Sequence, residues 1–228
     1  MLAPRLSHTA AAATVLVAIV SAHDVARLRN PAHKDWTARA PARFVVRLES
    51  SRGDIRIDVT RALAPRGTDR FYNLVRFGYY DENRFFRVVS GRWAQFGING
   101  DPRIARVWRT QAFEDDPRRA SNVRGAVAFA WAVPNGRTTQ VFISLGDNSA
   151  SLDEQGFAPF GQVVEGMDVA AALYDGYGEE SGGGIRGGRQ DPLFELGNEY
   201  LLQRYPKLDY IRQATIEQAH DAPHGGWR

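Results

Sequence analysis

The chain contains no cysteine in 228 residues. A disulfide, a thiolate nucleophile and a Cys-bound metal are therefore all excluded, while the redox compartment stays open. Histidine is nearly as informative. All five sit at the ends, at His8, His23, His33, His220 and His224, with none between Phe44 and Ile216. A Ser-His-Asp triad or a His-bound metal in a folded centre is ruled out by inventory, and neither a metal nor another cofactor is called for. His220 and His224 have helical spacing, but Pro223, Gly225 and Gly226 accompany them. Residues 217–228 read as a disordered tail. No phosphate-binding or dinucleotide-binding glycine pattern is present, and no internal repeat. Lysine is scarce beside arginine, yet net charge is only +3. The densest basic region, Arg103, Arg106, Arg109, Arg118 and Arg119, is broken by Glu114-Asp115-Asp116. That mixture reads as a solvated loop, with no nucleic-acid partner expected. The acidic run lacks the spacing of an oxygen-ligand site and reads as solvated loop or helix-dipole partners.

What is present suits one domain with extensions. Hydrophobic residues make up 43% of the chain and 12 are Phe, enough for a sizeable core. The first 22 residues have the layout of an export signal: Arg5, an Ala-rich apolar run from Thr9 to Val20, then small residues at Ser21 and Ala22. The run is short of the ~20 residues that span a bilayer. Cleavage after Ala22 would make the protein periplasmic or secreted; without cleavage the segment would anchor it. Residues 23–43, with Pro31 and Pro41, read as a linker or loosely packed arm.

The body spans residues 44–216. Phe44–Glu49 and Asp54–Val59 alternate apolar and polar residues around the turn Ser50-Ser51-Arg52-Gly53, a hairpin with one wet face. A helix follows. Pro65 suits its first turn and Gly78 its end, and Phe71, Leu74 and Val75 fall on one face. Residues 125–132, 140–145 and 157–164 read as strands, 166–174 as a second helix, 176–188 as a glycine-rich loop, 197–204 as a short helix and 210–216 as a final strand. Many strands with few helices predict a mainly β, closed antiparallel barrel.

Two stretches carry the chemistry. Phe85-Phe86-Arg87-Val88-Val89 runs towards Ala94-Gln95-Phe96-Gly97-Ile98-Asn99-Gly100-Asp101, and Thr139-Gln140-Val141-Phe142-Ile143 follows later. If these strands adjoin, alternation aims Arg87, Gln95, Gln140 and Phe142 at a common surface. A guanidinium, two amides and an aromatic ring can bond a peptide group and grip a small apolar ring. Each residue alone has a blander reading: a salt bridge for Arg87, backbone capping for the glutamines, core packing for Phe142.

The order of these motifs, with Phe160-Gly161-Gln162-Val163-Val164-Glu165-Gly166-Met167 after them, resembles the cyclophilin-type peptidyl-prolyl cis-trans isomerases. The resemblance runs from about Phe44 to Ile216. It implies a closed eight-stranded antiparallel barrel capped by two α-helices, with a proline pocket on its outer wall. It implies Arg87 as the catalytic arginine. Substrate-binding positions would be Phe86, Trp93, Gln95, Ala130, Trp131, Gln140, Phe142, Leu152 and Phe157. Partners would be proline-containing unfolded or loop segments of proteins, bound by a monomer. The activity implied is rotation about X–Pro bonds in support of folding; the alternative is a catalytically weak proline-peptide-binding module or chaperone on the same fold.

Several positions depart from the family pattern. Arg92 falls where an apolar ring usually lines the pocket, and Trp93 beside it is expected to take that role, with Arg92 turned away. Ser151 stands where many members have tryptophan, so cyclosporin binding is expected to be weak. Ser90 replaces a usual proline and Trp131 a usual asparagine, and Phe157 lies near a position often held by histidine.

Overall fold

The structure, a computed structural model, describes residues 22–184 and 188–220. The candidate export signal lies outside these, apart from the backbone of Ala22. Strands β1 (Arg43–Ser50) and β2 (Gly53–Thr60) pair as an antiparallel hairpin with Ser50 opposite Gly53. Phe44, Val46, Leu48, Ile55, Ile57 and Val59 all point inward and are fully buried. Each such side chain contributes about 1.5–3 kcal/mol by leaving water. The alternation in β2 breaks at Asp58, which is buried because Arg43 Nε donates to its Oδ1 at 2.8 Å.

Helix α2 (Pro65–Arg76) follows and sets Phe71, Leu74 and Val75 into the core. Ala64 before it has no capping side chain. Asp116 serves instead, its two carboxylate oxygens accepting the amides of Arg66 and Gly67 at 3.1 and 2.8 Å. One member of the acidic run is thus buried at the positive end of a helix.

The remaining strands are β3 (Asn83–Arg84), β4 (Arg87–Val89), β5 (Trp93–Phe96), β6 (Ala126–Phe129), β7 (Val141–Ser144), β8 (Pro159–Glu165) and β9 (Tyr210–His220). They form one sheet in the order β3-β9-β1-β2-β8-β6-β7-β5-β4. The two end strands are the halves of a single extended run, parted only by Phe85 and Phe86. Its first half pairs with β9 and its second with β5. Nine hydrogen-bonded segments therefore amount to eight strands in a ring, and the sheet curls into a barrel filled with side chains.

The same run explains a second layer. Phe85 points into the barrel, where its ring meets Phe96 at 5.4 Å. Phe86 points outward and is buried by helices α3 (Pro102–Trp108) and α6 (Asp191–Arg204), through Ala105, Leu193 and Phe194. The basic region was expected as loop. Its first half is α3, and its charges are met by Arg103–Asp101, Arg106–Glu195 and Arg109–Asp191 ion pairs. The expected helix at 197–204 begins earlier, at Asp191, and breaks its helical geometry at Gly197, whose φ is 60°. A Cβ there would meet the Gly100 carbonyl oxygen at 2.1 Å, so only glycine fits.

Two short helices complete the chain, α4 (Ser149–Leu152) and α5 (Met167–Ala171), the latter shorter than the expected 166–174. Strand β9 extends to His220, so residues 217–220, expected in a disordered tail, belong to the strand; the rest of that tail lies outside the described residues. Residues 23–43 are no loose linker. They contain helix α1 (Ala22–Leu28) and a 3₁₀ turn, Lys34–Thr37. Trp36 lies edge-on to Phe77 and Trp108, and Trp108 Nε1 donates to the Leu28 carbonyl at 2.7 Å. Polar contacts add to these: the Ala40 amide donates to Asp69 Oδ1 at 2.9 Å and Asn73 Nδ2 to the Ala38 carbonyl at 2.7 Å. Among the described residues no helix is long and apolar enough to cross a membrane.

Candidate active site

Cross-strand register builds the site. Arg87 on β4 stands opposite Gln95 on β5, Gln95 opposite Phe142 on β7, and Phe142 opposite Ala128 on β6. These residues form one lateral row on the outer wall. Neighbours such as Val88, Ala94 and Ile143 point into the barrel. Strand alternation thus separates a packed interior from a functional exterior at adjacent positions.

Above the row lies a cavity of about 640 Å³. Phe142, 5% exposed, forms its apolar floor with Leu152; Ala128 belongs to the same buried cluster, and Trp93, Ala130 and Phe157 pack around it. Phe157 meets Phe142 edge-on at 5.7 Å and lies tilted against Trp131 at 5.1 Å. Arg137 lies over Trp131, 5.3 Å from the ring centroid, and pairs with Asp115. Burial pushes its guanidinium down to about 10.

The polar wall is a chain of side-chain hydrogen bonds. Arg87 Nη1 donates to Gln95 Oε1 at 2.9 Å, and Gln95 Nε2 donates to Gln140 Oε1 at 2.8 Å. Gln140 Nε2 donates to Gln190 Oε1 at 3.1 Å, and Gln190 Nε2 reaches the Gly182 carbonyl at 3.2 Å. The other edge of the guanidinium is held by a carboxylate. Arg87 Nε and Nη2 donate to Glu179 Oε2 and Oε1 at 2.6 and 2.8 Å. A guanidinium has five N–H donors. Three are engaged here, which leaves one on Nη1 and one on Nη2 for a ligand in the cavity that Arg87 lines.

Of the ten residues predicted from the sequence, nine line this cavity: Arg87, Trp93, Gln95, Ala130, Trp131, Gln140, Phe142, Leu152 and Phe157. Phe86 does not. It also faces outward, but it is fully buried under α3 and α6, because the run breaks between β3 and β4 and the in–out alternation slips there: Phe85 and Val88 point inward, and Phe86 and Arg87 outward. Arg92 is not turned away either. It is exposed, lines the rim, and lies 4.7 Å from the Trp93 centroid, while Arg87 lies 4.8 Å from the same ring. Trp93 thus carries two cations and still faces the pocket. Ser151 also lines the cavity, its hydroxyl donating to the Asn148 carbonyl. Sequence reasoning missed Glu179 and Gln190. Glu179 lies in the segment read as a plain glycine-rich loop, residues 176–188, and Gln190 lies just beyond it, immediately before α6. The contact of Glu179 with Arg87 joins positions 92 residues apart, and no local pattern signals it.

The chemistry open to this arrangement is limited. A fixed cation beside an aromatic floor can hold a small apolar ring and donate to an atom next to it. Comparison with known proteins agrees with that reading. The family model for the cyclophilin type peptidyl-prolyl cis-trans isomerase/CLD matches residues 45–185. Peptidyl-prolyl cis-trans isomerase B of Escherichia coli is 30% identical over 133 residues, covering 55% of this chain and 80% of the relative. A peptidyl-prolyl cis-trans isomerase of Acinetobacter baylyi is 29% identical over 137 residues, covering 58% and 73%. Among solved structures, a cyclophilin from Hirschia baltica superposes with a TM-score of 0.56 at 16% identity, over 78% of this chain and 76% of that one. A cyclophilin type isomerase from Cryptosporidium parvum, in the presence of the dipeptide Ala-Pro, gives 0.53 at 18% identity, over 76% and 99%.

Proposed function

This chain belongs to the cyclophilin-type peptidyl-prolyl cis-trans isomerases, and from that premise we propose that Arg87 catalyses rotation of X–Pro bonds seated on Phe142. The bond itself defines the task. Amide resonance imposes a barrier of ~18–20 kcal/mol, while the cis and trans forms of X–Pro differ by only ~0.5–1 kcal/mol. The difficulty is kinetic. Halfway through rotation, conjugation is lost and the prolyl nitrogen acquires a lone pair. A donor aimed at that nitrogen favours the twisted state over both planar ones, and only such differential binding accelerates the reaction.

The residues divide this work. Phe142, Leu152 and Trp93 hold the pyrrolidine ring while the preceding carbonyl swings. The free N–H groups of Arg87 meet the twisted nitrogen. Gln95 orients the guanidinium. Ala130 and Trp131 offer the edge along which the flanking peptide lies. No proton moves in this scheme.

The observation that carries the proposal is the row Arg87–Gln95–Phe142, which sets a cation and an aromatic floor on one cavity wall. The test is isomerisation of a short X–Pro peptide by the full chain and by Arg87→Ala. Loss of about 10²–10³-fold in kcat/KM is expected, the range for removing one transition-state donor. A folded Arg87→Ala variant with unchanged activity would refute the role.

We further propose that the substrates are proline-containing unfolded or loop segments met after export. The charged start and apolar run of residues 1–22 support this. Fractionation of cells expressing the full chain tests it. Retention in the cytoplasm with an intact N-terminus would rule it out.

A further inference from the structure

We infer that Glu179 is a positioning residue for the isomerisation, holding the Arg87 guanidinium in one orientation at the cavity wall. The inference rests on the role of Arg87 proposed above and adds a residue to it. Its first support is geometry. Both carboxylate oxygens of Glu179 engage one edge of the guanidinium, at 2.6 and 2.8 Å, the bidentate arrangement that fixes a fork in plane as well as in place. The pair is partly shielded from water, with side-chain exposures of 15% for Arg87 and 34% for Glu179.

A second support is independent of charge. The segment that carries Glu179 also presses on the stem of Arg87. A Cβ at Gly182 would come within 2.7 Å of Arg87 Cβ and 2.9 Å of its Cδ. Gln190 ties the segment back to the wall, through the Gly182 carbonyl on one side and Gln140 on the other. The stem, the Nε–Nη2 edge and Nη1 of Arg87 are thus each restrained by a different residue. The restraints leave two N–H groups uncommitted. The fork need not be ordered when substrate arrives, which is the benefit of a preorganised donor. A carboxylate so close also weakens the field of the guanidinium. The structure assigns it to positioning because it occupies the side edge and spares one N–H on each terminal nitrogen.

The test compares Glu179→Gln and Glu179→Asp with the wild-type full chain. Isomerisation gives kcat/KM, and titration with an X–Pro peptide gives affinity separately. Glu179→Gln is expected to lower kcat/KM about tenfold or more while peptide affinity stays within about twofold, since Phe142, Leu152 and Trp93 are untouched. Glu179→Asp keeps the charge on a shorter reach and is expected to fall between the two. In an Arg87→Ala background, Glu179→Gln is expected to add no further loss. An unchanged kcat/KM in Glu179→Gln overturns the inference. So does a rise, which would make the pair an inhibitory clamp, or an equal loss without Arg87. If Glu179→Gln does not fold, Glu179→Asp decides alone: wild-type kcat/KM at unchanged affinity overturns the positioning role. A wild-type chain as inactive as Arg87→Ala would refute the role of Arg87 as well, whereas activity that depends on Arg87 but ignores Glu179 refutes only this inference.

Discussion

Gln95 accepts a hydrogen bond from Arg87 at 2.9 Å across directly paired positions of β4 and β5. The amide is 5% exposed and uses its other end on Gln140. It therefore links the cation to the rest of the polar wall. Gln95→Leu would leave Arg87 Nη1 and Gln140 Oε1 each short of a partner. We expect kcat/KM to fall about tenfold, less than for Arg87→Ala, because Glu179 still holds the other edge of the fork. Stopped-flow isomerisation of an X–Pro peptide by the two variants would check the ranking. A Gln95→Leu loss as large as that of Arg87→Ala would mean that the amide contacts substrate directly.

Phe142 is the apolar floor, and its removal should be felt twice. Phe142→Ala opens the cluster with Ala128 and Leu152 and removes the stacking surface for the substrate ring. Large-to-small substitution of a buried Phe costs about 3–5 kcal/mol. Phe142 is open to the cavity on one side, so the lower end of that range is expected. Phe142→Leu keeps most of the volume. It should retain stability to within about 1.5 kcal/mol and still bind an X–Pro peptide more weakly. Chemical denaturation and peptide titration on both variants separate the two effects. Wild-type affinity in a folded Phe142→Leu would place the proline elsewhere.

Much of this site was legible because strand alternation acts over two residues. Arg87, Gln95 and Phe142 each lie on a short strand whose inward neighbours are plainly apolar, so their outward direction followed once the strands were paired. The rule fails at Phe86, which faces outward like Arg87 because the strand breaks between β3 and β4, and which α3 and α6 cover. The hairpin β1–β2, helix α2 and strand β9 carry local patterns of period 2 or 3.6 and were readable for that reason. Glu179 and Gln190 were not. They are brought to Arg87 and Gln140 by the path of the chain after α5, and a segment rich in glycine has no periodicity to reveal which side chain it presents. Helix α3 was hidden by its arginines. Its ion pairs with Glu195 and Asp191 on α6 exist only in the tertiary structure.

Asp81 offers a test of linkage away from the site. Burial pushes its carboxyl up to about 6, although it accepts the Ala214 amide at 2.9 Å. In the unfolded chain the group would titrate near 3.8. Between those values the folded chain holds a proton that the unfolded chain has already released. Stability therefore declines as pH rises from about 4 to about 6, and the loss persists above that window. The side chain is only partly buried, so solvent screening leaves an effect on the order of 1 kcal/mol. Asp81→Asn keeps an acceptor for Ala214 and carries no charge. It should be more stable than wild type at pH 7 and closer to it at pH 4. Urea melts at the two pH values provide the check; an equal difference at both would assign the effect to packing.

The docked N-terminal arm separates stability from catalysis. Trp36 sits edge-on to Phe77 and Trp108 at 4.9 and 4.6 Å, and its Nε1 donates to the Asn30 carbonyl at 3.0 Å. Its contacts lie on the α2–α3 side of the molecule, and none of these residues lines the cavity. Trp36→Ala removes two aromatic edges and a large partly buried surface. A cost of about 2–3 kcal/mol is expected, below the range for a fully buried Trp. The barrel row Arg87–Gln95–Phe142 is held by strand pairing that Trp36 does not touch. The variant should therefore unfold at lower urea and still isomerise an X–Pro peptide at the wild-type kcat/KM well below its midpoint. A fall in activity under conditions where the variant is fully folded would show that the arm is coupled to the site through α2 or α3.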